Sequence, residues 1–410
     1  MTWNRHVTAG ELGTFRGGSA FPVRYQGNRS GELPFFKVSD MNSDGNQLFM
    51  TRANNYISEK LRKSRGAVRV PKNAIVFAKV GAAVFLERKR ILAQDSCIDN
   101  NMAAYIVNES ELDVRFAHYL LSAFKMSELV AVGALPSLNG AQLRSIPLQL
   151  PETLEEQKEI AATLVEADVL IATLERLIAK KQAIKTGMMQ QLLTGQTRLP
   201  GFEGDWEPQS VASRSVLKAR IGWQGLKTAE YRSSGIYRLV GGTEFSDGRI
   251  DWDSTPFVDK WRFEQDEYIK LRPGDVLLTK DGSIGKTAFV DRLPGPATLN
   301  SGVFVIRPVA GSYDPQFFYF MLRSRAFEEF LSRLTAGSTI SHLYQRDLVT
   351  LQLVMPPTVE EQVAIAGVLS TAEDEIRLLE ERLQKAQLIK TGMMQQLLTG
   401  RTRLPSEVTS

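Results

Sequence analysis

Two stretches of this 410-residue chain carry a helical period long enough to organise everything around them. Apolar residues fall at Ile160, Leu164, Ala167, Ile171, Leu174 and Ile178, and again at Ile365, Leu369, Ala372, Ile376, Leu379 and Leu383. Alternating steps of four and three average about 3.5 residues, the seam of a coiled coil. Thr153 with Glu156, and Thr358 with Glu361, have the T-x-x-E form of a capping box. In that motif the threonine oxygen takes an amide of the first turn and the glutamate reaches back. Gly195 and Gly400 stop both stretches as left-handed caps. The pattern predicts two helices of some 40 residues, each about 60 Å long.

The helices repeat in detail. KTGMMQQLLTG at Lys185–Gly195 returns unchanged at Lys390–Gly400, 205 residues later, and 30 of the 50 positions of Pro151–Pro200 match Pro356–Pro405 without a gap. An amphipathic rod with an exposed seam needs a partner, and the chain holds two, so antiparallel pairing is expected. A seam requires only apolar character, yet Lys185, Thr186, Gln190, Gln191 and Thr194 recur beside the methionines. Met188, Met189, Leu192 and Leu193, with Met393, Met394, Leu397 and Leu398, are therefore expected to form a partner-docking surface, presented twice. Gly187 and Gly392 each cost up to about 1 kcal/mol inside a helix and suggest close approach of another backbone.

Outside the rods, short apolar runs alternate with turns. Pro34–Val38, Ala74–Val80, Val84–Leu86 and Met102–Val107 read as strands, and Asp113 caps a helix through Phe116, Leu120, Leu121 and Phe124. Residues 206–355 replay that order: Val276–Thr279 and Gly302–Ile306 are strands. Asp314, with Pro315 at the first helical position, then opens a helix through Phe317, Met321, Leu322 and Phe327. An offset of 201 residues relates these helices, and also AKVG at Ala78–Gly81 to TKDG at Thr279–Gly282. The globular domains are thus duplicates with divergent loops. The expected fold class is α+β: a domain over residues 1–150, a spacer helix over 151–196, a second domain over 197–355, a second helix over 356–401 and a tail over 402–410. Two mixed α/β domains separated by antiparallel helices make a pseudo-two-fold repeat.

Composition narrows the function classes. Hydrophobic residues make up 43% and charged residues 23%, ordinary for a globular chain. No apolar run approaches the roughly 18 residues of a membrane span, and MTWNRHVTAG lacks the apolar core of a signal peptide. A cytoplasmic protein is expected. Its single cysteine, Cys97, excludes an internal disulfide and a cysteine-built zinc site; neither metal nor cofactor is expected. Catalytic motifs are near misses. Ser283–Thr287, SIGKT, has Lys280 where a P-loop begins with glycine, and Phe15–Ser19, FRGGS, falls short of an S-adenosylmethionine pocket. Glu156-Gln157-Lys158 matches the E-x-K of nucleases, but its duplicate ends in Val363; His6, His118 and His342 are isolated in sequence.

Binding residues are easier to find. The net charge of +4 is a mild basic bias, and Ser58–Lys72 concentrates six lysines and arginines against one acid. Arg62, Lys63 and Arg65, with Arg24, Arg52 and Lys79, are candidates for neutralising DNA phosphates. In the second domain Arg220, Gln224 and Lys227 surround a Gly-rich turn, and Lys280, Ser283 and Lys286 lie in another. A polar turn precedes each rod: PSLNGAQ supplies Ser137 and Asn139, and STISHLYQ supplies His342, Tyr344 and Gln345. Such side chains reach base edges in the major groove.

Taken together, a globular domain, a helix beginning P-x-x-x-E-Q and closing in K-x-G-M-M-Q-Q-L-L-T-G, then a second of each, resembles the specificity subunit of type I restriction-modification enzymes. The resemblance spans essentially the whole chain, including the linker TRLPGFEGDWEP at Thr197–Pro208. It implies a noncatalytic subunit whose domains each read one half of a bipartite site in double-stranded DNA. The paired helices would dock two methyltransferase subunits, to which restriction and translocase subunits attach, with no membrane involved. A coiled-coil scaffold without DNA, and the recognition module of a fused restriction-methylation enzyme, are the alternatives.

Overall fold

The computed structural model describes residues 3–130, 136–221, 225–335 and 342–404. It divides into two compact units, one comprising Met1–Glu175 with Glu381–Ser410, the other Arg176–Glu380. Each unit thus holds one globular domain, the first part of the long helix that follows it, and the last part of the other long helix. No helix among the described residues is long and apolar enough to cross a membrane.

In the first unit, strands Gly13–Gly17, Met102–Val107, Ile75–Ala78, Lys89–Leu92 and Phe49–Met50 lie side by side in that order. A smaller sheet orders Tyr56–Ile57, Leu33–Phe36 and Cys97–Ile98. The second unit repeats the plan with Ser215–Ala219, Val303–Pro308, Val276–Thr279 and Thr287–Phe289, and a smaller sheet of Phe257–Val258, Tyr237–Val240 and Ala297–Leu299. The central strands IVFA and VLLT are buried throughout, which is why they read as unbroken apolar runs rather than alternations. Each domain is closed by pairing its first strand with its last. Arg5–Thr8 runs antiparallel to Pro147–Leu150, and Glu207–Ser210 antiparallel to Gln352–Met355.

Val84–Leu86, expected as a strand, lies instead in a 3-10 turn over Ala82–Leu86. Local bonds from the Val84 amide to the Gly81 carbonyl and from the Glu87 amide to the Val84 carbonyl close it. Three apolar residues are too short a run for period to distinguish strand from turn. The domain helices begin where their caps stand. Asp113 accepts the amides of Arg115 and Phe116, and Asp314 accepts that of Phe317, with Pro315 opening the helix.

The long helices span Leu154–Leu192 and Val359–Leu397, 39 residues each. Half of each capping box forms. Thr153 Oγ1 accepts the Glu156 amide at 3.2 Å and Thr358 Oγ1 the Glu361 amide at 3.4 Å. The buried Glu361 carboxylate is spent on Arg198, at 2.5 and 2.7 Å. The duplicated Gln157 and Gln362, buried at 0% and 1% exposure, accept the amides of Asp113 and Asp314 at 2.9 Å each. The duplicated glutamine therefore ties each long helix to the cap of its domain helix. Within the first unit Lys390 Nζ meets Asp168 at 2.5 Å; within the second, Lys185 meets Glu373 at 2.5 Å and Lys181 meets Glu375 at 2.7 Å. One number falls as the other rises, so the helices pair antiparallel in each unit.

The repeated helix ends turn inward, which corrects the docking expectation for half of its residues. Leu397 and Leu398 are buried in the first unit's core with Trp3, Phe116, Ile160 and Leu164; Leu192 and Leu193 in the second's with Phe317, Phe318, Ile365 and Leu369. Met393 and Met394, and Met188 and Met189, are half-buried against the same cores. Burial of each leucine contributes about 1.5–3 kcal/mol. Trp3 Nε1 donates to the Leu397 carbonyl at 3.1 Å. Gly400 and Gly195, both at φ 70°, lie so close to Trp3 and Trp206 that a Cβ would come within 2.7 and 3.2 Å of the rings. The eleven residues recur because they fill the same socket twice. Gly187 and Gly392 meet no other backbone: a Cβ there would touch nothing within 4 Å.

Candidate nucleic-acid interface

Lys79 and Lys280 stand just past the ends of the buried central strands, each at the edge of a turn held by two backbone bonds. The Lys79 amide donates to Asn101 O at 2.8 Å and its carbonyl accepts the Leu138 amide at 2.9 Å. In the second domain the Lys280 amide donates to Gly302 O at 2.9 Å and its carbonyl accepts the Leu343 amide at 2.8 Å. The second bond of each pair brings in the polar turn before the long helix: Val80 bridges Ser137, and Asp281 bridges His342. The structure thus joins residues far apart in sequence, Lys79 with Ser137 and Lys280 with His342.

The second-domain cluster is the richer one. Thr279, buried, donates from its hydroxyl to Ser283 O at 2.5 Å and accepts the Lys286 amide at 2.9 Å, which holds Ser283 and Lys286 exposed on one turn. His342 Nδ1 bonds the Asp281 carboxylate, and its ring lies 4.4 Å from that of Tyr344. Arg346 approaches the Tyr344 ring at 4.5 Å. Gln345 is exposed beside them. In the first domain Asn139 caps the short helix Gly140–Arg144, its Oδ1 accepting the Gln142 amide at 2.9 Å, which leaves its side-chain NH2 to donate to a ligand.

A second patch forms around Tyr25. Arg24 and Arg65 approach its ring at 4.9 and 5.6 Å, and Lys63 is exposed on the same short helix, Glu59–Arg65. Two arginines gathered at one partly exposed aromatic ring are a charge pair suited to phosphate. The corresponding segments of the second domain carry Lys227, whose amide holds Glu230, and Arg262, which pairs with Glu230 at 2.7 and 3.0 Å. The Lys227 amide, with Arg262 second, keeps the Glu230 carboxyl below its ordinary range. Trp261 beside it is exposed.

Two expected DNA contacts are internal. Arg220, 2% exposed, donates to the Leu299 carbonyl at 2.9 Å, and to Gln265 and Thr298 at 3.2 Å each. It locks the end of strand Ser215–Ala219 to the smaller sheet. Arg62 turns back on Glu59 at 2.8 and 2.9 Å and on the Ala67 carbonyl, bracing its own helix. Arg52 is exposed on a separate turn closed by Asn46, and Gln224 lies outside the described residues. Asp281, Tyr25 and Arg346 join the clusters without having been singled out by sequence. The signal for Asp281 was its place in the duplicated TKDG. Among the described residues no cluster of histidine, cysteine, aspartate and glutamate is arranged to hold a metal.

The model of the type I restriction modification DNA specificity domain matches residues 2–185 and again 222–388. The MjaVIII specificity subunit of Methanocaldococcus jannaschii is 27% identical over 341 residues, covering 78% of this chain and 76% of its own length. A second subunit of that organism, putatively MjaX, is 27% identical over 315 residues, with 72% and 70% covered. Among solved structures, the type I restriction-modification S subunit from M. genitalium superposes with a TM-score of 0.67 at 15% identity, over 96% of this chain and 95% of its own.

Proposed function

Because the chain belongs to the type I restriction modification DNA specificity family, we propose that it reads an interrupted, bipartite sequence in double-stranded DNA, one half per globular domain, and catalyses nothing itself. The observation that carries this reading is the matched pair of turns. Both domains bridge their central-strand turn to the turn before the long helix at equivalent places, yet one bridge joins Val80 to Ser137 and the other Asp281 to His342. One backbone with exchanged side chains is what two readers of different letters require. Lysines and arginines beside the turns contribute salt-dependent phosphate affinity, and the hydrogen-bonding side chains contribute discrimination.

The partners in this reading are two methyltransferase subunits, which modify adenine, with restriction and translocase subunits attached through them. The docking surface is the face of the duplicated helix ends left uncovered, Ile184, Gly187 and Gln191 and their copies Ile389, Gly392 and Gln396. Ile184 and Ile389 are 45% and 62% exposed, and the glycines have open space before them. The test is a genome-wide map of methylated adenine in cells carrying the full chain and its cognate methyltransferase. A single interrupted motif with two dissimilar halves is expected. A map unchanged by deletion of this chain overturns the reading.

A further inference from the structure

His342 and Ser137 sit at corresponding points of the two domains, one bridged to Asp281 and the other to Val80. The Asp281 carboxylate accepts the Nδ1 hydrogen of His342. An ionised carboxylate is acceptor-only, so the bond fixes the hydrogen on Nδ1. In the neutral ring Nε2 is then a bare acceptor, and it has no partner among the described residues. The side chain keeps 28% of its surface exposed. Contact with Tyr344 at 4.4 Å restrains the ring, and Lys280, whose Nζ lies 3.7 Å from Asp281, places a cation beside it. Val80 and Ser137 offer neither a fixed tautomer nor a ring.

We propose that His342 is a specificity-determining residue of the second domain. Its Nε2 accepts a hydrogen bond from the exocyclic amino group of an adenine or a cytosine in the major groove, the two base edges that offer a donor there. Asp281 is the positioning residue that fixes the tautomer. This rests on the reading of the chain as a DNA-recognition subunit.

The experiment is methylation mapping with the full chain and its cognate methyltransferase, comparing wild type with H342N, H342Q and D281A. Asparagine keeps a donor where Nδ1 stands and has nothing at Nε2, whereas glutamine reaches the Nε2 place. The wild type requires adenine or cytosine at one position of one half-site. H342N and D281A relax that position about tenfold and leave every letter of the other half-site intact, while H342Q retains the preference. Unchanged letters in H342N overturn the role of His342 alone. Equal loss of all methylation in H342N and H342Q, with both chains folded, reduces the residue to a structural one and overturns the proposal too. Absence of any bipartite motif in the wild type overturns the underlying reading instead.

Discussion

His118 spends on packing what its residue type suggests for chemistry. It is 8% exposed and donates from Nε2 to the Lys89 carbonyl at 3.1 Å. Burial pushes its pKa down to about 4. In the unfolded chain an imidazole titrates near 6.5, so between roughly pH 6.5 and 4 the unfolded state takes a proton that the folded state refuses. Stability is therefore full above that window, falls as pH drops through it, and levels off below it, a loss of about 3 kcal/mol in all. Denaturant titrations of the full chain at pH 7 and pH 4.5 measure this. His118→Gln, which keeps a donor for the Lys89 carbonyl, is expected to flatten the pH dependence of the first unit's transition. An equally steep dependence in the variant would assign the loss to other groups. Arg220 makes the same point in the opposite sense, since a basic residue beside a Gly-rich turn suggested DNA and the fold buried it.

At the scale of elements, each long helix end has two faces that its sequence period does not separate. Successive residues advance about 100°, which groups Ile184, Gly187 and Gln191 on one side and Lys185, Met189 and Leu192 on the other, centred roughly 130° away. Of the inner group Met189 and Leu192 pack on a core and Lys185 pairs with Glu373, and the outer group is proposed for docking. Ile184→Asp with Gly187→Gln is expected to leave thermal unfolding unchanged and to lower the native mass of the methyltransferase complex by one partner. Leu192→Asp is expected to destabilise the second unit by at least about 3 kcal/mol, because it removes core volume and buries a charge. Two partners retained by the folded outer-face variant would contradict the docking reading. Helix lengths, glycine stops and the caps Asp113 and Asp314 were legible in the sequence because they depend on neighbours within a turn. The inward face was not, since it depends on Trp3, nearly four hundred residues from Leu397. The same limit applies to the interface. Lys79, Lys280, Ser137 and His342 were nameable as residue types, whereas their joining across the Val80–Ser137 and Asp281–His342 bridges is a tertiary fact.

At the scale of the whole molecule, one compact unit, Arg176–Glu380, is continuous in sequence and the other is not. The first unit takes residues 381–404 from the far end of the chain, and those residues have a close copy at 176–199. Three of the contacts they make have a replacement of the same type. Trp3 donates to the Leu397 carbonyl, and Leu192 carries an equivalent carbonyl; Lys390 pairs with Asp168, and Lys185 is the same residue; Arg403 faces Glu156 at 3.9 Å, and Arg198 is its copy. A fragment of residues 1–204 therefore contains both a socket and a plug, held apart within one copy because the plug lies on the same helix that leads away from the socket. Two fragments satisfy each other reciprocally, an isologous contact with a two-fold axis. Such a dimer presents two identical first domains in opposite senses, so the DNA it addresses becomes an interrupted inverted repeat of the first half-site. Light scattering of the purified fragment is expected to give twice the monomer mass, and methylation mapping with the cognate methyltransferase a palindromic motif without the second domain's letters. Outside the eleven identical residues the copies differ in places, Ala183 standing where Leu388 does and Lys181 where Ala386 does. The fragment dimer is therefore expected to dissociate at lower denaturant than the intact chain unfolds. A folded fragment that stays monomeric at tens of micromolar would show that the plug of one half does not fit the socket of its own domain, and the interchangeability of the two helix ends would be refuted.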